Sequence, residues 1–289
     1  MTRKTAEIKA FFDEATSTVS YVLWDPETRK AAVIDPVLDY EPRGGKVTTK
    51  SADKILSFLA ENRLALTHIL ETHAHADHLS AAQHLKSKTG ARIGIGARIG
   101  LIQKTFRAVF NLKDVSETGA EFDDLYNDGD KIPLGARAIE VMHTPGHTPG
   151  CVSYRFGDAV FVGDTLFMPD YGTARTDFPG GDAAALYRSI RRILALPRET
   201  RLFMCHDYKP EKRKAFAWET TVGAQRKKNI LIRDGVSEEA FVTLRKSRDA
   251  GLAPPLLLLP SIQVNIRAGR LPPPEENGRH YLKIPLTLS

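Results

Sequence analysis

A chain of 289 residues, 42% hydrophobic and 26% charged, can bury one substantial core or two modest ones as an ordinary folded protein. Its formal charge of +6 and pI near 9.2 admit an anionic partner, but the positive residues are scattered and no aromatic-basic module accompanies them, so a small acidic substrate fits and nucleic acid is not expected. The opening "MTRKTAEIKAFFDEATS" lacks the pattern of a secretory signal, and the longest apolar run, Leu256 to Leu259, is bracketed by prolines and far too short to cross a bilayer, which sets the expectation of a cytoplasmic protein with no membrane attachment.

In chain order, "STVSYVLWD" and "KAAVID" are β-rich and joined by the turn-prone "PETR", which predicts an antiparallel hairpin. After a polar loop around "EPRGGKVTT", Ser51 is placed to cap a helix with Ile55, Leu56, Phe58 and Leu59 on one stripe. "LTHIL" is a short buried strand, "HLSAAQHLKSK" a helix, "ARIGIG" a strand, and "IEVMH", "CVSYRF" and "AVFVGD" three further strands of a second sheet. Asp182 can cap a helix carrying Leu186, Ile190, Ile193 and Leu194, and "RLFMCH" follows as a strand ending in histidine. "AWETTVGAQRKKN" and "SEEAFVTLRKSR" are predicted helices ahead of a proline-rich tail. No repeat or low-complexity tract interrupts the chain, so residues 1–289 are expected to form a single domain with a helical and proline-rich C-terminal extension from about residue 209.

The polar residues of interest gather at the ends of these strands. "ETHAHADH" places His73, His75, Asp77 and His78 after one strand, His147 follows "IEVMH", Asp164 closes "AVFVG", and His206 closes "RLFMC". Imidazole and carboxylate donors held at strand termini suit a metal site. His73 and His75, two apart in an extended stretch, are expected to point the same way, with Asp77 and His78 approaching from another side. Gly146 and Gly150 in "HTPGHTPG" allow the tight turns that present His147, and Gly163 allows a close backbone approach beside Asp164. His68, His84 and His280 read as solvated or structural, and His143 as a packing residue. Cys151 and Cys205 read as two buried, reduced thiols rather than a disulfide or a nucleophile.

"THAHADH", "GHTPG", "GDTLF" and "HDY", in this order and spacing, resemble the metallo-β-lactamase superfamily, which implies an α/β fold of the αββα four-layer sandwich type with the site at one edge between two sheets. The flanks "YGTARTDFPGGDAAALYRSI", "CHDYKP", "ETTVGAQRKKN" and "PSIQVNIRAGRLP" are similar to the persulfide dioxygenases, sulfur dioxygenases that resemble glyoxalase II. That resemblance implies an oxidoreductase of sulfur metabolism: one non-haem Fe(II) per chain on His73, His147 and Asp164, oxidising glutathione persulfide with O2 to sulfite and glutathione. His75, Asp77, His78 and His206 then surround the iron ligands, with Asp77 bonding to waters or a ligand imidazole, and His206 with Tyr208 shaping the oxygen side. A homodimer is a fair expectation from related enzymes.

A two-histidine, one-carboxylate face leaves coordination positions open for substrate and dioxygen side by side. The run Lys209, Lys212, Arg213 and Lys214 offers cations for the glutathionyl carboxylates; Arg213 and Tyr208 are the expected contacts, while Arg175 either joins them or pairs with Asp177 and organises the rim. The main rival is a dinuclear thioester hydrolase of the glyoxalase II type, since every residue needed for two metals is present. A lactamase, a nuclease and a non-enzymatic metal scaffold fit less well.

Overall fold

The computed structural model describes residues 5–286, so residues 1–4 and 287–289 of the expected single unit, including the start of the segment scanned for a signal, lie outside the described residues. The N-terminal half runs β1 (Glu7–Asp13), β2 (Thr18–Trp24), β3 (Lys30–Ile34), β4 (Val37–Glu41), β5 (Lys46–Thr48), α1 (Lys50–Glu61), β6 (Ala65–Leu70), β7 (Leu79–Ser80), α2 (Ala82–Thr89), β8 (Arg92–Gly96), α3 (Ile99–Phe110) and β9 (Asp124–Tyr126). The C-terminal half runs β10 (Lys131–Leu134), β11 (Arg137–His143), β12 (Val152–Phe156), β13 (Ala159–Phe161), a 3-10 turn (Gly163–Thr165), α4 (Ala183–Leu194), β14 (Arg201–Phe203), β15 (Glu219–Thr221), α5 (Val222–Lys228), α6 (Glu238–Asp249) and α7 (Leu258–Asn265). No helix among the described residues is long and apolar enough to cross a membrane.

Two six-stranded sheets, β1-β2-β3-β6-β8-β9 and β10-β11-β12-β13-β14-β15, carry the fold. Side chains alternate across a strand, and here both faces are covered. On β2, Val19, Tyr21 and Leu23 point into the core shared by the two sheets while Val22 joins the helix side; on β3, Ala32 and Ile34 face inward while Ala31 and Val33 face out. The other sheet behaves alike, with Phe161 and Phe203 inward and Val160 and Leu202 under the helices. α1, α2, α3 and α7 cover the first sheet, and α4, α5 and α6 the second. This is the αββα four-layer sandwich the resemblance implies.

The predicted hairpin is β2–β3, antiparallel. The helix cap at Asp182 also forms, its carboxylate accepting the Ala185 N–H at 2.7 Å, and α4 buries Leu186, Ile190, Ile193 and Leu194 as its spacing requires. Four expectations change, the first at the start of the predicted "HLSAAQHLKSK" helix, where Leu79–Ser80 pairs antiparallel with β4 and α2 begins only at Ala82. Ser51 does not cap α1; its hydroxyl donates instead to Asp39 on β4 at 2.8 Å, because the "EPRGGKVTT" stretch folds as the β4–β5 hairpin and brings that carboxylate within reach. "AWETTVG" is not helical at its start: Glu219–Thr221 pairs antiparallel with β14, as β-branched threonines favour, and Thr221 caps α5 by accepting the Ala224 N–H at 3.1 Å. The proline-rich tail contains α7, whose Ile262 and Val264 enter the first core.

In the first sheet β3, β6, β8 and β9 are parallel, with α1, α2 and α3 as crossovers. In the second, β13 and β14 are parallel. Loops leaving the carboxyl ends of such strands collect at one edge, a common location for ligand sites. There the sheets are stitched together: Val19 N–H donates to the Cys205 carbonyl at 2.7 Å, and Val152 N–H to the Thr72 carbonyl at 2.9 Å.

Candidate metal centre

The residues picked out at the strand ends converge into one cluster. His73, His147 and Asp164 present donor atoms within 4.8 Å of one another, and so do His75, Asp77, His78 and His206. Asp164 lies between the groups: its Oδ2 is 3.9 Å from His73 Nε2 and 3.7 Å from His147 Nε2, while its Oδ1 is 3.3 Å from His206 Nε2.

Each imidazole is fixed by the nitrogen that faces away from the cluster. The Thr72 hydroxyl donates to Asp35 at 2.9 Å and so accepts from His73 Nδ1 at 3.0 Å, leaving the His73 Nε2 lone pair bare. His147 Nδ1 donates to the Arg175 carbonyl at 2.8 Å, and His75 Nε2 to Asp35 at 2.9 Å. His206 Nδ1 lies 3.3 Å from the Ser17 carbonyl. Partners of this kind select the tautomer whose inward nitrogen can bind a metal. His73 and His75 therefore turn opposite nitrogens inward, and their rings, 4.0 Å apart, serve different groups rather than pointing the same way.

The buried inward atoms His75 Nδ1 and His78 Nε2 have no hydrogen-bond partner, and Asp77 Oδ2 and Asp164 Oδ1 face only His206 Nε2, at 2.9 and 3.3 Å, without forming a well-aligned hydrogen bond. Orphaned polar atoms are costly in an interior, and a divalent cation is the group that satisfies nitrogen and carboxylate donors together. The residues present thus fit a metal, and the cluster is a metal-binding site of histidines and aspartates.

Burial and neighbouring imidazoles hold His73 well below the ordinary histidine pKa, so it is a neutral donor. Burial opposes charge on His75 and His206, but Asp35 and Glu71 carry the first up to about 9, and Asp77 and Asp164 carry the second up to about 10. Desolvation together with the Asp35 charge raises Glu71 to about 8. Burial pushes the Cys151 thiol up to about 12 and the Cys205 thiol well above its ordinary value, consistent with two inert thiols.

Several positioning residues are invisible in the sequence. Asp35 accepts the N–H and O–H of Thr72 as well as His75. Asn265 on α7 donates to the carbonyls of both His75 and His78 at 2.8 Å and accepts the Ser80 N–H at 2.8 Å, pinning the histidine loop from the far end of the chain. "PSIQVNIRAGRLP" carried a resemblance without a role, and Asn265 supplies one. The histidines set aside are accounted for: His84 pairs with Asp53, His68 with Thr67, His280 with the Pro272 carbonyl and His143 with the Pro149 carbonyl.

Gly163 has φ +51°, and a Cβ there would sit 2.7 Å from Thr72 Oγ1; Gly146 has φ +143°, and its Cβ would meet the Leu186 backbone at 2.3 Å. Gly150 adopts no such conformation and has room for a side chain, so the turn presenting His147 depends on Gly146. Gly163→Ala is expected to cost about 2–4 kcal/mol, from left-handed strain plus displacement of the β-branched Thr72 that orients His73. Denaturant unfolding measures the loss, and metal content should fall with it.

A cavity of about 650 Å³ opens on the cluster, lined at this end by Asp77, His147, Asp164 and the rings of Phe167, Phe178 and Tyr208. The Tyr208 ring lies nearly parallel to His206, with centroids 5.6 Å apart; the residue is partly exposed, and desolvation together with the charges of Asp77 and Asp164 holds its hydroxyl well above the ordinary tyrosine pKa, as a neutral donor. Arg175 reaches the cavity but is committed to Asp177 at 2.6 Å and the Ala253 carbonyl at 2.7 Å, the rim role. Arg213 does not line this cavity. Its guanidinium grips the buried Asp207 and reaches Asp170 at 2.9 Å, so the structure makes it a tether for the loop after β14 instead of the expected substrate contact.

A family model described as metallo-beta-lactamase superfamily matches residues 14–206. The chain is 51% identical to a probable metallo-hydrolase of Burkholderia pseudomallei over 96% of this chain and 98% of that protein. It is 47% identical to glyoxylase B2 of Dictyostelium discoideum over 97% of each, and 32% identical to the human mitochondrial persulfide dioxygenase ETHE1 over 70% of this chain and 68% of that one. It spans 64 to 65% of the length of longer relatives described as beta-lactamase hydrolase-like proteins. Among solved structures, ETHE1 from Myxococcus xanthus superposes with a TM-score of 0.73 at 30% identity, covering 91% of this chain and all of that one.

Proposed function

The chain belongs to the metallo-beta-lactamase superfamily, and from that premise we propose that it is a persulfide dioxygenase with one Fe(II) on His73, His147 and Asp164. The observation that carries this reading is access. Two of these three residues, His147 and Asp164, line the cavity, whereas of the other group only Asp77 does; His75, His78 and His206 have no exposed surface. A metal on the first group could be reached by a substrate, and the second group is closed off behind it. The likeness to ETHE1 in sequence and in fold supports the same reading.

The overall change is glutathione persulfide plus O2 plus water giving glutathione, sulfite and two protons. When bound, Fe(II) supplies the one-electron chemistry that lets dioxygen oxidise a sulfur anion, which no side chain here can provide. The chain's own residues do the rest. The Arg175 carbonyl holds His147 in its donor tautomer, and Thr72 and Asp35 do the same for His73. Phe167, Phe178 and Tyr208 give the cavity an aromatic wall beside the donors, and Tyr208 offers a neutral hydroxyl to a bound anion. Asp77, 2.9 Å from His206 Nε2, would accept hydrogen bonds from that imidazole or from water.

A second reading, a dinuclear thioester hydrolase, is favoured by the complete second donor group and by likeness to proteins named metallo-hydrolase and glyoxylase. One sample separates the two: metal per chain, oxygen uptake and sulfite release with glutathione persulfide, and anaerobic hydrolysis of a glutathione thioester. The expected result is one iron per chain with sulfite formed in step with oxygen consumed. Two zinc ions per chain and thioester turnover without oxygen would overturn it.

A further inference from the structure

Beyond the metal donors, the cavity lining carries charges of its own. Three arginines line it, Arg175, Arg245 and Arg248. Arg175 is spent on Asp177 and backbone carbonyls. Arg245 is buried, paired with Asp249 at 2.7 Å, and donates to the Thr173 carbonyl at 3.1 Å. Arg248, one turn further along α6, is solvent-exposed and has no hydrogen-bond or ion-pair partner among the described residues.

An aromatic wall joins Arg248 to the metal donors. Tyr208 stacks on His206, and Tyr171 packs on Tyr208 with centroids 5.0 Å apart; the charges of Arg248 and Arg245 in turn act on the Tyr171 hydroxyl. Leu252, Pro255 and Leu256 form an apolar lip beside it. The cavity lining therefore combines metal-binding donors, aromatic and apolar walls, and one guanidinium without a partner among the described residues. Its volume of about 650 Å³ accommodates a tripeptide-sized molecule.

We propose that Arg248 is the specificity-determining residue of this site and receives the carboxylate of a small peptide-like substrate whose sulfur end lies at the metal centre. The assignment rests on the proposed function only in placing the reacting sulfur at that end. A planar guanidinium matches a carboxylate in a two-pronged hydrogen bond. A single such cation suits one carboxylate, whereas a polyphosphate would call for several.

The test measures binding apart from turnover. Isothermal titration of the metal-loaded protein with glutathione, and with glutathione whose glycyl carboxylate is blocked as an ethyl ester, is run on wild type, Arg248→Ala, Arg248→Lys and the control Lys246→Ala, an exposed cation on the same helix that does not line this cavity. Arg248→Ala should weaken glutathione binding about tenfold, or about 1.4 kcal/mol. The ester should bind wild type about as weakly as it binds Arg248→Ala, and Arg248→Lys should recover part of the loss. In whichever reaction the protein performs, persulfide oxidation or thioester hydrolysis, Arg248→Ala should raise KM by the same factor and leave kcat within about twofold. Arg248-dependent binding without persulfide oxidation would sink the proposed reaction and keep this assignment. No glutathione binding by wild type, unchanged binding in Arg248→Ala, equal losses for acid and ester in that variant, or an equal loss in Lys246→Ala would each overturn it.

Discussion

Asp164→Ala is expected to retain less than about a tenth of the wild-type metal and to lose activity by about 10³-fold or more. Asp164 supplies the only negative charge among the three proposed iron donors, and both of its oxygens face imidazoles, at 3.7 and 3.9 Å on one side and 3.3 Å on the other. Two imidazoles without it are a weak trap for a divalent ion. Elemental analysis gives the occupancy, and Asp164→Asn, which keeps the shape but removes the charge, should lose nearly as much. Full occupancy in Asp164→Ala combined with loss in His78→Ala would move the metal to the other donor group.

The second large effect is on stability. From the sequence alone, Arg213→Ala would chiefly raise KM, because Arg213 follows the His206 strand end by a few residues. In the fold its guanidinium pairs with Asp207, which is only 2% exposed and whose remaining hydrogen bonds come from the Ala217 and Lys209 N–H groups. Removing one partner of a buried pair strands the other charge, at a cost of about 3 kcal/mol, and for a chain of this size the Tm should drop by roughly 6–12 °C. Thermal unfolding by circular dichroism reads this directly. Activity should fall as well, since Asp207 adjoins His206 and anchors the loop carrying Tyr208, but KM for the folded fraction should stay within about twofold. A raised KM at unchanged Tm would restore the substrate-binding role.

The signals that could be read in one dimension were local ones. "ETHAHADH" packs four donors into eight positions after an apolar strand, and the strands themselves announce their ends through β-branched runs followed by glycine or polar residues. Asp182 and the apolar stripe of α4 are likewise a cap and a period, both contained within thirteen residues. Where the reading failed, a distant partner had intervened. Ser51 has the right chemistry for a cap, but Asp39 on a neighbouring hairpin competes for it. Asn265 reaches His75 across 190 positions and Asp35 reaches it across 40, separations that leave no trace in spacing.

The amino-acid order by itself determined that histidine and aspartate donors would stand at strand ends, and so that a metal site of this superfamily would form; donor chemistry and strand periodicity are properties of short segments. Only the tertiary structure decided which nitrogen each imidazole turns inward, which donor group meets the cavity, and which arginine is left uncommitted. Arg175, Arg213, Arg245 and Arg248 are chemically the same side chain. Their roles differ because the packing of two sheets and the α6 helix gives the first three a carboxylate and leaves the fourth facing an open cavity.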